Sequence, residues 1–194
     1  MRRIFRFLLW LLPLTLLFAA CGPKEAPPPS AARVLAAMTE AMTATAQPLP
    51  DGLTYTRTTD PGSPSYLTDT LFSALYGEAA RGLLSAESAP ESGEGTPGEV
   101  TPGDPPPLGD AAIYLSLSAY PCELAVLRCS DLETAATVAG LCRSRLDILQ
   151  RGYRNSEWAE VAAGGRVAVE GCYVLLAVVE DPGAVLEAAR RILP

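Results

Sequence analysis

Glu123 stands in an otherwise apolar run, Cys122-Glu123-Leu124-Ala125-Val126-Leu127. A carboxylate in such a run needs a partner. Arg145, in the helical stretch that follows, is the matching cation, so the two are expected to approach each other. A structural ion pair that fixes helix against sheet is the preferred reading. The sharper alternative is a ligand-binding pair, or a carboxylate with a shifted pKa. Tyr153 and Trp158 fall in the connection after that helix. Aromatics there either anchor a ligand or plug the end of a small core, and the plug is preferred. Cys122 and Cys129 are seven apart on one extended run and point to opposite faces. No Cys-x-x-Cys occurs, which argues against zinc. Cys122 with Cys172 is the best disulfide candidate if the two strand starts lie close. Buried free thiols acting as small hydrophobes are the preferred alternative.

Two absences narrow the chemistry further. The 194-residue chain has no His, which excludes a Ser-His-Asp triad, a Cys-His pair and His-ligated metals. Its single lysine is Lys24, so a Walker A lysine, a Schiff-base lysine and a Ser-x-x-Lys acylation site are excluded from the folded part. Carboxylates remain, and a glycosidase would need two of them about 5–10 Å apart in a cleft. No metal or cofactor is expected.

The first residues read as an address. Arg2, Arg3 and Arg6 precede an uncharged Leu- and Phe-rich run that ends Leu17-Phe18-Ala19-Ala20-Cys21. A positive start, a short apolar run and small residues at a boundary describe a signal peptide over 1–20. The run is short for a membrane span, which takes about 20 apolar residues. Two alanines before Cys21 resemble a bacterial lipobox, with Phe18 in place of the commoner Leu. Cys21 is therefore expected to carry a diacylglyceryl group and become the N-terminus, anchoring the product in the outer leaflet of the cell membrane. Two acyl chains suffice for stable anchoring. Residues 21–30, with Pro27-Pro28-Pro29, form an extended tether. Without the first 20 residues the chain has 12 basic against 22 acidic residues. That balance opposes nucleic-acid binding and electrostatic docking on anionic lipid.

With 48% hydrophobic residues the chain can build a core, yet 18 Pro and 16 Gly are too many to spread evenly through it. Residues 83–110 gather six Pro, five Gly and six acids without a single Lys or Arg. They are expected to be a disordered acidic linker or loop insertion rather than a recognition tail. Before it, residues 31–82 form an N-terminal helical part. Val34, Leu35, Met38, Ala41 and Met42 follow a helical spacing over 31–46, as do Leu67, Leu71, Phe72 and Leu75 over 65–76. A short strand is expected at 53–58, between turns at Asp51-Gly52 and Asp60-Pro61-Gly62.

Residues 111–194 form the most ordered part. Alternation predicts a half-buried strand over 112–118, and a second strand covers 122–129. Ser130 and Glu133 suggest a capping box for a helix running to about Gly152. Its expected stripe is Leu132, Ala135, Ala136, Ala139, Cys142, Leu146 and Leu149. A short strand at 165–170 precedes 172–180, which is apolar on both faces and therefore central. Asp181-Pro182 then provides an N-cap and an N1 proline for the last helix. A shift of 50 aligns Cys122 with Cys172, Leu124 with Val174 and Asp131 with Asp181. The expectation is an α+β fold: a ββα–ββα two-layer domain with a mainly antiparallel four-stranded sheet and both helices on one face.

Several short stretches carry a family resemblance: Cys122-Glu123-Leu124-Ala125-Val126, Arg145-Leu146-Asp147, Tyr153, Gly171-Cys172-Tyr173-Val174, Tyr66-Leu67 and Leu75-Tyr76-Gly77. Together they resemble the bacterial lipoprotein family catalogued as domain of unknown function 4358. Tyr153-Arg154-Asn155-Ser156-Glu157-Trp158 departs from the Tyr-Leu-Pro-like stretch expected there, and the acidic insertion is unusual. The resemblance implies an exported, lipid-anchored domain and supplies no catalytic residues. The expected role is a non-catalytic binding or structural module of the cell envelope, with an envelope protein or peptide as partner. The alternative is a small envelope hydrolase that uses paired carboxylates.

Overall fold

A computed structural model describes residues 27–84 and 106–194. The expected signal peptide, Cys21 and most of the acidic insertion lie outside the described residues.

Local chemistry sets the element ends. Ser30 caps α1 (Ala31–Ala44), whose buried stripe is Ala31, Val34, Leu35, Met38 and Met42. Strand β1 (Gly52–Thr56) follows. Thr68 caps α2 (Asp69–Tyr76), which stops at Gly77 with φ 91°. An L side chain rarely adopts that conformation, so glycine suits the stop. Next come β2 (Leu108–Ser116), β3 (Glu123–Cys129), α3 (Leu132–Tyr153) and α4 (Ala159–Gly164). The chain closes with β4 (Arg166–Glu170), β5 (Tyr173–Val178) and α5 (Pro182–Arg190), the last capped by Asp181. At α3 the cap is Asp131, not Ser130: its Oδ1 accepts from Thr134 N at 2.7 Å, and the Ser130 hydroxyl donates to its Oδ2. Leu132, expected on the buried stripe, is exposed.

Among the described residues the sheet has five strands in the order β1-β2-β3-β5-β4, and every neighbouring pair is antiparallel. The α+β class stands; the four-strand count does not, because β1 from the N-terminal part pairs along the outer edge of β2. The two-layer expectation also gives way. Strands β2, β3 and β5 are apolar on both faces, so each face needs a cover. Ala112, Tyr114, Leu124, Val126, Leu175 and Ala177 pack with α1 and α5. Ala111, Ile113, Ala125, Leu127, Val174, Leu176 and Val178 pack with α2 and α3. The protein is thus three layers, with α3 and α5 on opposite faces. Residues matched by the 50-residue shift lie on opposite faces too: Leu124 faces α1 and α5, whereas Val174 faces α3. That match concerns the order of elements and not their packing.

The N-terminal part is built into this body. Gln47, just past α1, accepts Asp181 N–H at 2.8 Å and so ties α1 to the start of α5. The buried Asp110 carboxylate accepts Ala31 N–H at 2.7 Å, and Tyr173 OH donates to Pro29 O at 2.6 Å. Residues 108–110, assigned to the acidic insertion by composition, are strand, because Leu108 pairs with Cys129 and Asp110 with Arg128. The two ends of the insertion meet where Leu108 N–H donates to Leu83 O at 2.8 Å. Arg57 holds one of those ends, donating to Leu84 O at 2.7 Å.

Candidate functional site

The site grows from one charged residue at the end of a buried strand. Glu123 opens β3 opposite Leu115 on β2 and Val178 on β5, so its strand neighbours offer no polar side chain. It lies on the face covered by α3. On α3 the buried positions Ala135, Val138, Ala139 and Cys142 follow the i, i+3, i+4, i+7 pattern of one helical face, and three and four residues beyond Cys142 stand Arg145 and Leu146. The helical period therefore aims a guanidinium at the one acid on that part of the sheet.

The two side chains meet closely. Arg145 Nη2 donates to Glu123 Oε2 at 2.7 Å, and Arg145 Nε donates to Oε2 at 3.0 Å and to Oε1 at 3.2 Å. This fork geometry is the strong form of a carboxylate pair. The Glu123 side chain is 5% exposed and that of Arg145 is 19% exposed. Burial works against the Arg145 charge, and the hydrogen bonds and charge of Glu123 outweigh it, so the Arg145 pKa rises. Tyr76, the last residue of α2, places its hydroxyl 3.5 Å from Glu123 Oε1. Burial, and then the Glu123 charge, push the Tyr76 phenol well above its ordinary pKa. Tyr76 packs on Phe72 with ring centroids 4.8 Å apart. Sequence reasoning missed Tyr76 as a partner of the pair; its place four residues after Phe72, on the same helical stripe, was the available signal.

Above the pair lies a pocket of about 160 Å³, lined by Ser116, Ser118, Tyr120, Glu123, Arg145 and Tyr153 among others. Tyr153 thus joins Glu123 and Arg145. Trp158 does not line the pocket: it meets Tyr120 edge-on, with centroids 4.9 Å apart at 74°, on the α1 and α5 side of the sheet. Cys122 borders the pocket as a free thiol that burial, then the Glu123 charge, push up to about 12. It does not meet Cys172. Antiparallel pairing sets the start of β5 beside the end of β3, so Cys172 O accepts from Cys129 N–H at 2.8 Å instead. All four described cysteines are free.

Chemically the site is a small polar pocket over a neutralised ion pair. Glu123 is the single carboxylate among its lining residues. Among the described residues, no group of three or more His, Cys, Asp or Glu is placed to hold a metal ion, and no helix is long and apolar enough to cross a membrane. No family model matches the chain, and neither a curated protein nor a solved structure matches it.

Proposed function

We propose that this chain is a lipid-anchored module of the bacterial cell envelope that binds and does not catalyse. Its N-terminal residues would direct export, and Cys21 would carry the diacylglyceryl anchor in the outer leaflet. The partner is an envelope peptide or protein that places one polar side chain or chain terminus in the pocket over Arg145. The resemblance to the lipoprotein family of unknown function points the same way.

The observation that carries the binding reading is the Glu123–Arg145 pair, in which Nε reaches Oε1 and Nη2 reaches Oε2, at the edge of a pocket of about 160 Å³. That volume is close to the roughly 150 Å³ that holds one benzene, so it accepts a single side chain. Arg145 spends its Nε and one Nη2 proton on Glu123, which leaves donors for a ligand acceptor. The hydroxyl-bearing residues Ser116, Ser118, Tyr120 and Tyr153 line the same space. A paired-carboxylate hydrolase finds no second acid in this lining, and the one acid present is held by a guanidinium. The fastening of Pro29 and Ala31 to Tyr173 and Asp110 suits a tethered domain, because a pull on the tether reaches the sheet directly.

The test is to express the full chain with its own leader in a bacterium fed a traceable fatty acid. Label on the wild type, absent from Cys21→Ala, supports the anchor; an unlabelled wild type overturns it. Photo-crosslinking from position 153 in those membranes tests binding. A discrete adduct that disappears with Ser118→Trp, which fills the pocket mouth, supports the reading. No adduct, or one insensitive to that change, overturns it.

A further inference from the structure

We propose that Cys129 and Cys172 form an oxidisable dithiol, a cross-strand pair that a disulfide reagent converts to a bond locking the β4–β5 hairpin to β3. The placement follows from register. Arg128 pairs with Tyr173, which sets Cys129 opposite Cys172, and Cys129 N–H donates to Cys172 O at 2.8 Å. Opposed residues of an antiparallel pair that are joined by such a backbone hydrogen bond hold their Cα atoms about 5.5 Å apart. A disulfide accepts roughly 4.4–6.8 Å. Side chains of opposed residues share a face, and Cys129 belongs to the core under α3.

Access is built in as well. Cys172 is half-buried, sits after Gly171 (φ 57°) in the two-residue turn of the hairpin, and lines a cavity of about 500 Å³ that Cys129 also lines. Of the other two described thiols, Cys122 precedes β3 at its far end and on its opposite face, and Cys142 is buried on α3 in the same core as Cys129 but outside the cavity that Cys129 and Cys172 line.

The chemistry is thiol–disulfide exchange with a low-molecular-weight disulfide or a disulfide-bearing oxidoreductase. The Cys172 thiolate attacks one sulfur of the reagent, whose S–S bond breaks and releases one thiolate. Cys129 gives its proton to solvent, and its sulfur attacks the Cys172 sulfur and expels the second thiolate. The two cysteines lose two protons and two electrons; the reagent gains both and becomes two thiols. Burial, and then the neighbouring Cys172, push the Cys129 thiol up to about 12, so the second step is slow at neutral pH and quickens with alkali. The closed bond encloses α3, α4 and β4 in one loop.

The test uses the full chain, reduced and then incubated with oxidised glutathione at mildly alkaline pH, alkylated, digested and analysed by mass spectrometry. The expected result is one cross-linked peptide joining Cys129 to Cys172 and a Tm increase on the order of 5–10 °C that dithiothreitol reverses. Cys122→Ala should keep the cross-link and Cys172→Ser should abolish it. If Cys172→Ser misfolds, the wild-type peptide map decides alone. A glutathione adduct on Cys172 without ring closure, a cross-link to any other cysteine, or no reaction at either thiol overturns the proposal.

Discussion

Arg145 on α3 grips Glu123 on β3 through three hydrogen bonds of 2.7–3.2 Å, with the acid the deeper of the two. That depth makes the partners unequal. Arg145→Ala strands a buried carboxylate and is expected to cost about 3–5 kcal/mol. Glu123→Ala leaves a guanidinium that can turn toward the pocket mouth, so a smaller loss of about 2 kcal/mol is expected. Denaturant titration of both variants checks the order, and equal losses would contradict it.

Tyr173 and Asp110 together fasten the start of the described chain. Tyr173→Phe removes only the hydroxyl, which donates to Pro29 O and accepts from the Arg128 side chain. A loss of about 1 kcal/mol is expected, together with faster protease cutting just before Ala31. Unchanged cutting would show that the fastening rests on Asp110 alone.

Gly165 sits where α4 turns into β4, and its need is steric rather than conformational. A Cβ there would lie 2.6 Å from Leu146 Cδ1, 3.2 Å from Ala162 O and 3.2 Å from Val178 Cγ2. Gly165→Ala is expected to destabilise by roughly 1–3 kcal/mol through overpacking. Gly140→Ala, with open space around its Cβ, should stabilise α3 by about 0.5–1 kcal/mol. Thermal melts of the two variants separate the cases.

Alkali should unfold the protein early. Cys122 and Cys129 are each pushed up to about 12 by burial from an ordinary value of 9.0. The folded state then holds protons that the unfolded state has released, so stability is full below about pH 9 and falls as pH rises toward 12. Tyr76 adds to the fall above pH 10.0, its ordinary value. Melts at stepped pH with Cys122→Ala should show a shallower decline than the wild type; identical slopes would exclude that thiol as a cause.

The hydrogen bond between Leu108 and Leu83 brings the ends of the insertion together. Replacing residues 85–105 by a turn of about four residues should preserve the fold. Stability should rise by about 1 kcal/mol, because a shorter connection between Leu84 and Pro106 loses less entropy on closure. A collapse of the melt would show that the segment contributes packing.

Much of this could be read along the chain. The apolar faces of 172–180 announced a central strand, and Asp181-Pro182 announced α5. Glu123 and Arg145 were legible as partners because a buried strand and a helical stripe each carried one charge. Those features depend on neighbours a few residues apart. The place of β1, the side each helix covers and the partner of each cysteine depend on which distant strands pair. Where both faces of a strand are apolar, the period-two signal that would name its inward face is lost. Only the antiparallel register of β3 and β5 separates Cys122 from Cys172 and brings Cys129 to it. In the same way, a third layer became necessary only once β2, β3 and β5 stood side by side with two apolar faces to keep from water.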